Sequence, residues 1–177
     1  MSTSDPLPFS LRGATTDDAL RIAVLGMQVF LDTYATEGIR EVLAREVLES
    51  FSPDAISRLI SRGNTWLIVA ESKRHLVGFA QLSTQADHPM LLDPEAAELQ
   101  RLYVQERFTG CGIGWRLLAL AEQQARAQRA SMLWATVWVG NQRALAFYPK
   151  QGYAHLGSPA YALQNEVHQN ALFGKQL

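Results

Sequence analysis

Apolar and polar positions along this chain change their period several times, and each change marks an element. Ala19, Ile22, Ala23, Leu25, Met27 and Val29 recur near helical spacing. Thr15-Thr16-Asp17-Asp18 before them supplies cap oxygens and the acidic residues that suit a first turn, so a helix is predicted to about Thr33. Phe9 to Ala14 reads as a strand ahead of it, and residues 1 to 8 as a tail. Glu37 to Glu49 and Pro53 to Ser61 read as two more helices, with Ser52 capping the third and Pro53 at its first position. The pattern then shortens to strands. Thr65 to Ala70 is a compact apolar run, Glu71 to His75 a polar turn, and Leu76 to Ser83 the partner strand. Asp87-His88-Pro89 and Asp93-Pro94 break the following loop. Glu98 to Val104 returns to strand, with Leu99, Leu102 and Val104 as its apolar content, and a helix with Leu117, Leu118, Ala121 and Ala125 follows to about Arg129. Met132 to Val139 is a further strand, and a short helix to Lys150 ends at a Gly152 cap. Two strands near Ala154–Leu156 and Ala160–Leu163 close the chain, or a longer hairpin ending in Ala171-Leu172-Phe173. No internal repeat, low-complexity stretch or linker interrupts this order, so residues 1 to 177 are predicted to form one domain.

Between the strand at 98–104 and its helix lie Gly110, Gly112 and Gly114, at alternate positions. Glycine there lets the backbone turn tightly and lets a ligand approach the main chain without meeting a Cβ. The helix beyond has free N–H groups and a positive dipole end. Such a turn is an anion cradle suited to a phosphate or pyrophosphate. It is neither of the two common nucleotide loops. The third glycine comes one residue early for a dinucleotide fingerprint, and Gly114-Trp115-Arg116 lacks the Gly-Lys-Ser/Thr ending of a P-loop.

The composition narrows the partners. A net charge of −1 gives no basic excess for nucleic acid, and no polybasic run or membrane-length apolar stretch argues for a membrane. The single cysteine, Cys111, excludes an internal disulfide. With no secretory pattern at Met1-Ser-Thr-Ser-Asp-Pro, a soluble cytoplasmic protein is expected. The four histidines lack metal-ligand spacing, so no metal is expected.

The stretch Thr109-Gly110-Cys111-Gly112-Ile113-Gly114 resembles the acyl-CoA signature of the GNAT superfamily of N-acetyltransferases, Gln/Arg-x-x-Gly-x-Gly/Ala, with Thr109 in the first position. A second block, Asn141-Gln-Arg-Ala144-Leu-Ala-Phe147-Tyr148-Pro-Lys-Gln-Gly152-Tyr153, is similar to the family's N-x-x-A-x-x-F-Y-x-x-x-G-F/Y. The resemblance implies an α/β (α+β) fold. It consists of a mixed, mainly antiparallel central sheet with helices on both faces, and a splay between strands 98–104 and 132–139 where the pantetheine arm of acetyl-CoA lies.

It also implies roles. The cosubstrate acetyl-CoA would be held by Leu102, Tyr103 and Val104 along the strand, by the turn from Thr109 to Gly114 (Cys111 and Ile113 included), and by Asn141. Tyr148 would protonate the leaving thiolate, since a phenol with pKa ≈ 10 keeps its proton at neutral pH. Glu98 aligns with a glutamate that serves as general base in some members, and a solvated strand-end carboxylate is its plainer reading. The acceptor site, built in this fold by the first two helices and a late loop, nominates Phe30, Tyr34 and Glu37, with Tyr161 opposite. Trp115 and Trp138 are candidates to line the CoA groove. The stretch Asp32 to Gly38 and Phe51-Ser52-Pro53 resemble the polyamine-acetylating branch. The expected activity is acetyl transfer from acetyl-CoA to a primary amine of a small molecule or a protein. The alternative is a non-catalytic acyl-CoA sensor. A homodimer is common among such domains, though nothing in the sequence specifies one.

Overall fold

The computed structural model describes residues 8–163 and 166–177, so the tail read at residues 1 to 8 lies, apart from Pro8, outside the described residues. The order is β1 (Ser10–Gly13), α1 (Ala19–Tyr34), α2 (Glu41–Ser50), α3 (Pro53–Ile60), β2 (Thr65–Ser72), β3 (His75–Ser83), β4 (Ala97–Val104), α4 (Ile113–Ala127), β5 (Met132–Trp138), α5 (Gln142–Lys150), β6 (Ala154–Gly157), β7 (Ala160–Leu163) and β8 (Glu166–Gln176). The strands run β1-β2-β3-β4-β5-β8-β6, with β7 against β8. Every pairing is antiparallel except β4 with β5. This is the mixed, mainly antiparallel sheet that the sequence led us to expect.

Side-chain alternation explains why the sheet is covered on both sides. Leu67 and Val69 of β2 join Ile22, Ala23, Phe51 and Ile56 of the α1–α3 layer. Ile68 and Ala70 join Ile113, Leu117, Leu118 and Ala121 of α4 on the other face. A strand buried on both faces reads as an unbroken apolar run, which is how Thr65 to Ala70 looks in the sequence. The β2–β3 hairpin turns through Lys73 and Arg74, both at positive φ (49° and 68°), the backbone of a tight two-residue connection.

One helix boundary differs from expectation. The second helix starts at Glu41, not Glu37, because Gly38 sits at φ +109°, outside helical space. Residues 35–40 are thus a loop beside the later site. The last helix runs to Lys150 and keeps Pro149 within it, at the penultimate position. Its cap is intact: Gly152, at φ +85°, donates from N to Pro149 O (3.1 Å), and Tyr153 N donates to Tyr148 O (3.1 Å). This is the paired bonding of a Schellman ending, which fixes Tyr148 by its own carbonyl.

One feature of the sheet prepares the site. β4 and β5 pair only through Ala97 with Leu133 and Glu98 with Trp134. Beyond that point β4 follows β3 and β5 follows β8, and the centre of the sheet opens.

Candidate active site

The turn after β4 is shaped by its glycines. Gly110 and Gly112 lie at φ +78° and +83°, a region that costs an ordinary L-residue ~1–2 kcal/mol. Gly112 is the N-cap of α4 and supplies no side-chain cap, so the first-turn N–H groups face outward. Thr109 Oγ1 donates to Glu106 O (2.8 Å), which holds the approach to the turn.

A cleft of about 790 Å³ runs from this turn along the opened edge of β4. Leu102, Tyr103 and Val104 form one wall, Asn141, Phe147 and Tyr148 another. Thr109, Gly110, Gly112, Gly114 and Trp115 close the end. Asn141 also caps α5, its Oδ1 accepting from Ala144 N at 3.1 Å. Tyr103 turns its ring to the core, 5.4 Å from Phe79 and 6.0 Å from Phe51, so its main chain is what it offers the cleft.

Two residues of the expected cradle do not line the cleft with their side chains. Ile113 is 1% exposed and packs into the core under α4. Cys111 is exposed, with Sγ 3.8 Å from Thr109 O. Successive residues of the turn point in different directions, and neither Cys111 nor Ile113 is among the residues that line the cleft. Trp138 is also placed differently from expectation: Thr136 and Trp138 share a face of β5, and that face lines a second cavity instead of the CoA groove.

This second cavity, of about 460 Å³, lies between the α1–α2 loop, α2 and the β5–β8 region. Phe30, Tyr34 and Glu37 all line it, as does Tyr161. Tyr34 belongs to both cavities and joins them. Its ring lies 4.6 Å from Phe30 and 5.5 Å from Trp138, an aromatic wall across the junction. Glu46, Gln100, Arg40, Glu166 and His168 also line it and were missed in the sequence. A signal did exist for Glu46: Leu43 and Glu46 lie three apart on α2 and both face the cavity.

Tyr148 is 6% exposed, stacked 5.7 Å from Phe173. Burial, with Tyr34 nearby, pushes its phenol well above the ordinary tyrosine value. Burial raises Tyr34 as well. Both therefore hold their protons at neutral pH. Glu98 occupies neither cavity. It lines a third recess of about 410 Å³ with Arg58, Arg62 and Arg101. Burial lifts its carboxyl above the ordinary value, opposed by Gln100 and Arg101. The structure thus brings Tyr148 and Tyr34 together and sets Glu98 apart, with Gln100 lining both its recess and the second cavity. Among the described residues no cluster of metal-ligating side chains forms, and no helix is long and apolar enough to cross a membrane.

Known proteins share this architecture. The PaiA N-acetyltransferase of Thermoplasma acidophilum, solved in complex with coenzyme A, superposes with a TM-score of 0.76 at 21% identity, over 96% of this chain and 99% of that one. A ribosomal-protein-alanine N-acetyltransferase of Brucella melitensis gives 0.67 at 22% identity, over 95% and 99%. In sequence, the chain is 22% identical over 160 residues to the "uncharacterized N-acetyltransferase in pepI 3′ region" of Lactobacillus delbrueckii subsp. lactis, covering 90% of this chain and 92% of that protein. Such identities speak for the fold. What speaks for the family is the model described as the acetyltransferase (GNAT) family, which matches residues 31–153 and so takes in the splayed strands, the glycine turn and the Tyr148 helix: this chain belongs to the GNAT acetyltransferase family.

Proposed function

We propose that this acetyltransferase moves the acetyl group of acetyl-CoA directly onto a primary amine of a small molecule or peptide, with both substrates bound at once. The observation that carries this reading is the junction at Tyr34. A cleft that suits a pantetheine arm and a separate cavity meet there, so two substrates have a common point of contact. A sensor that only bound acyl-CoA would have no use for the second cavity.

The step needs a held thioester, a neutral amine and a proton for the departing sulfur. The glycine turn and the first-turn N–H groups of α4 suit the pyrophosphate, and the open edge of β4 suits the amide-bearing arm. The amine nitrogen attacks the thioester carbonyl carbon, and the C–S bond breaks. Tyr148 gives its phenolic proton to the thiolate and regains one from the nitrogen by way of solvent. Glu98 assists as a base at a distance, through water that passes Gln100. Its raised affinity for protons suits that role.

Thiol release from acetyl-CoA, followed against pools of diamines, amino acids, aminoglycosides and N-terminal peptides, tests the proposal. Release with one pool, dependent on Tyr148, supports it. Silence with every pool while acetyl-CoA still binds would favour the sensor.

A further inference from the structure

We infer that the arginine recess beside the acceptor cavity binds an anionic group carried by the acceptor, so that the acceptor is an amine with a carboxylate or phosphate at its far end. This rests on the acyl-transfer reading above and names the class of molecule it acts on.

The recess is lined by Arg58 from α3, Arg62 from the link to β2, and Arg101 from β4, against a single carboxylate, Glu98. Three guanidinium groups facing one acid leave an excess of positive charge. None of the three makes an ion pair among the described residues. Arg74, Arg107, Arg116 and Arg129 are likewise without an ion pair among the described residues, but none of them lines this recess; what sets Arg58, Arg62 and Arg101 apart is that all three line one hollow. Arg101 donates to Gln81 Oε1 and lies 4.5 Å over the Phe51 ring, so it is fixed in place without being neutralised. Arg101 is the cation that opposes the rise of the Glu98 carboxyl. Arg58 and Arg62 are exposed and without an ion pair, so their guanidinium groups are available for a carboxylate or phosphate.

Two contacts tie the recess to the acceptor cavity. Gln100 lines both. Ser50, in the recess, donates to Glu46 of the cavity at 2.6 Å. The two spaces thus adjoin at Gln100 and along the Glu46–Ser50 side of α2. An elongated acceptor lying across it would set its amine beside Tyr34 and Glu46 and its acid beside Arg58 and Arg62. The aromatic wall of Phe30, Tyr34 and Trp138 would face the amine end, and Gln100 the chain between.

The test compares four acceptors on one five-carbon chain: an ω-amino carboxylate, the matching ω-amino phosphate ester, the ω-amino carboxamide and the diamine. The two anionic acceptors should give the higher kcat/KM, by about tenfold or more over the carboxamide. The better of the two tells a carboxylate site from a phosphate site. In the double variant Arg58→Gln/Arg62→Gln the KM for the anionic acceptors should rise about tenfold, while the KM for acetyl-CoA holds. Arg62→Glu should turn the preference toward the diamine. Equal use of all four acceptors, or an equal loss on all four in the variant, overturns the inference. If no amine is acetylated, the parent reading fails, and calorimetric titration of the same carboxylate and carboxamide into the CoA-bound protein still decides this one. Heat from the carboxylate alone, abolished in the double variant, upholds the recess as an anion site, and no difference between the two removes it.

Discussion

Replacing Tyr148 by phenylalanine isolates a single proton. The ring keeps its surroundings: Phe173 at 5.7 Å, Phe147 and Tyr153 at 5.4 Å each. No hydrogen bond contributes to the state of its hydroxyl, and the one fully enclosed, unpartnered side-chain polar atom among the described residues is Trp134 Nε1. The hydroxyl has no hydrogen-bond partner to lose, so removing it should change stability by no more than ~1 kcal/mol. Catalysis should suffer far more. A positioned proton donor is worth about 10²–10⁴ in rate, or ~3–5 kcal/mol of barrier. Initial rates of thiol release, with each substrate varied in turn, should show kcat falling by that factor while the KM for acetyl-CoA moves less than about threefold. The pH profile adds a sign. The proton is held more tightly than in a free phenol, so the neutral donor persists through the ordinary range, and Tyr148 should impose no alkaline limb below about pH 10. A kcat within about threefold of the parent, in a variant that melts normally, would refute the assignment.

Two further changes test other parts of the structure. Gly112→Ala forces a Cβ into φ +83° and sets it 3.1 Å from Trp115 Nε1. The strain of ~1–2 kcal/mol should raise the KM for acetyl-CoA about tenfold with a smaller effect on kcat, and an unchanged KM would take the turn out of the site. Asp18→Asn removes a carboxylate that is 1% exposed and bound by Arg12 (2.7 and 2.8 Å), Arg21 (2.5 Å) and Thr15 N (2.9 Å). We expect a loss of ~2–3 kcal/mol in urea unfolding at neutral pH. Arg12 holds this carboxyl well below the usual carboxylate range, so its stabilisation is present above about pH 4 and vanishes as pH falls further. The gap between parent and variant should close in acid, and a constant gap would mean that the charge is not what matters.

Elements that rest on local pattern are legible in the amino-acid order alone. Ser52-Pro53 starts α3 as expected, with Ser52 Oγ accepting from Ala55 N at 3.2 Å. The alternating glycines mark the turn because two of them must take positive φ. Tyr148 is legible through its block, and its place in the cleft follows from the Gly152 ending. The second cavity is only half visible. Phe30, Tyr34 and Glu37 lie close together in the chain, but Glu46, Gln100 and Trp138 reach the same space from three elements that only the tertiary fold brings together. The direction of Trp138 hangs on strand register, which a continuous apolar run such as Met132 to Val139 does not encode. Glu98 is nominated by alignment with a motif, and a motif fixes position along a strand but not which hollow the side chain meets. The recess escapes a reading by pattern because Arg58 and Arg62, four positions apart, are joined there by Arg101 from a distant strand.

The two residue pairs that join β4 to β5 have a consequence for how the molecule breathes. Past Glu98 and Trp134, each strand has a neighbour on one side only, in the middle of a sheet where a peptide group usually has two. Amides on the facing edges are held by nothing across the gap, so they should exchange with deuterated solvent early, as at an outer edge, while those of β3 stay protected. A bound pantetheine arm would take the place of the missing strand. It would slow that exchange and raise the cost of opening for the whole sheet, by an amount that grows with the logarithm of its free concentration over its dissociation constant. The substrate is then, for as long as it stays, a piece of the secondary structure.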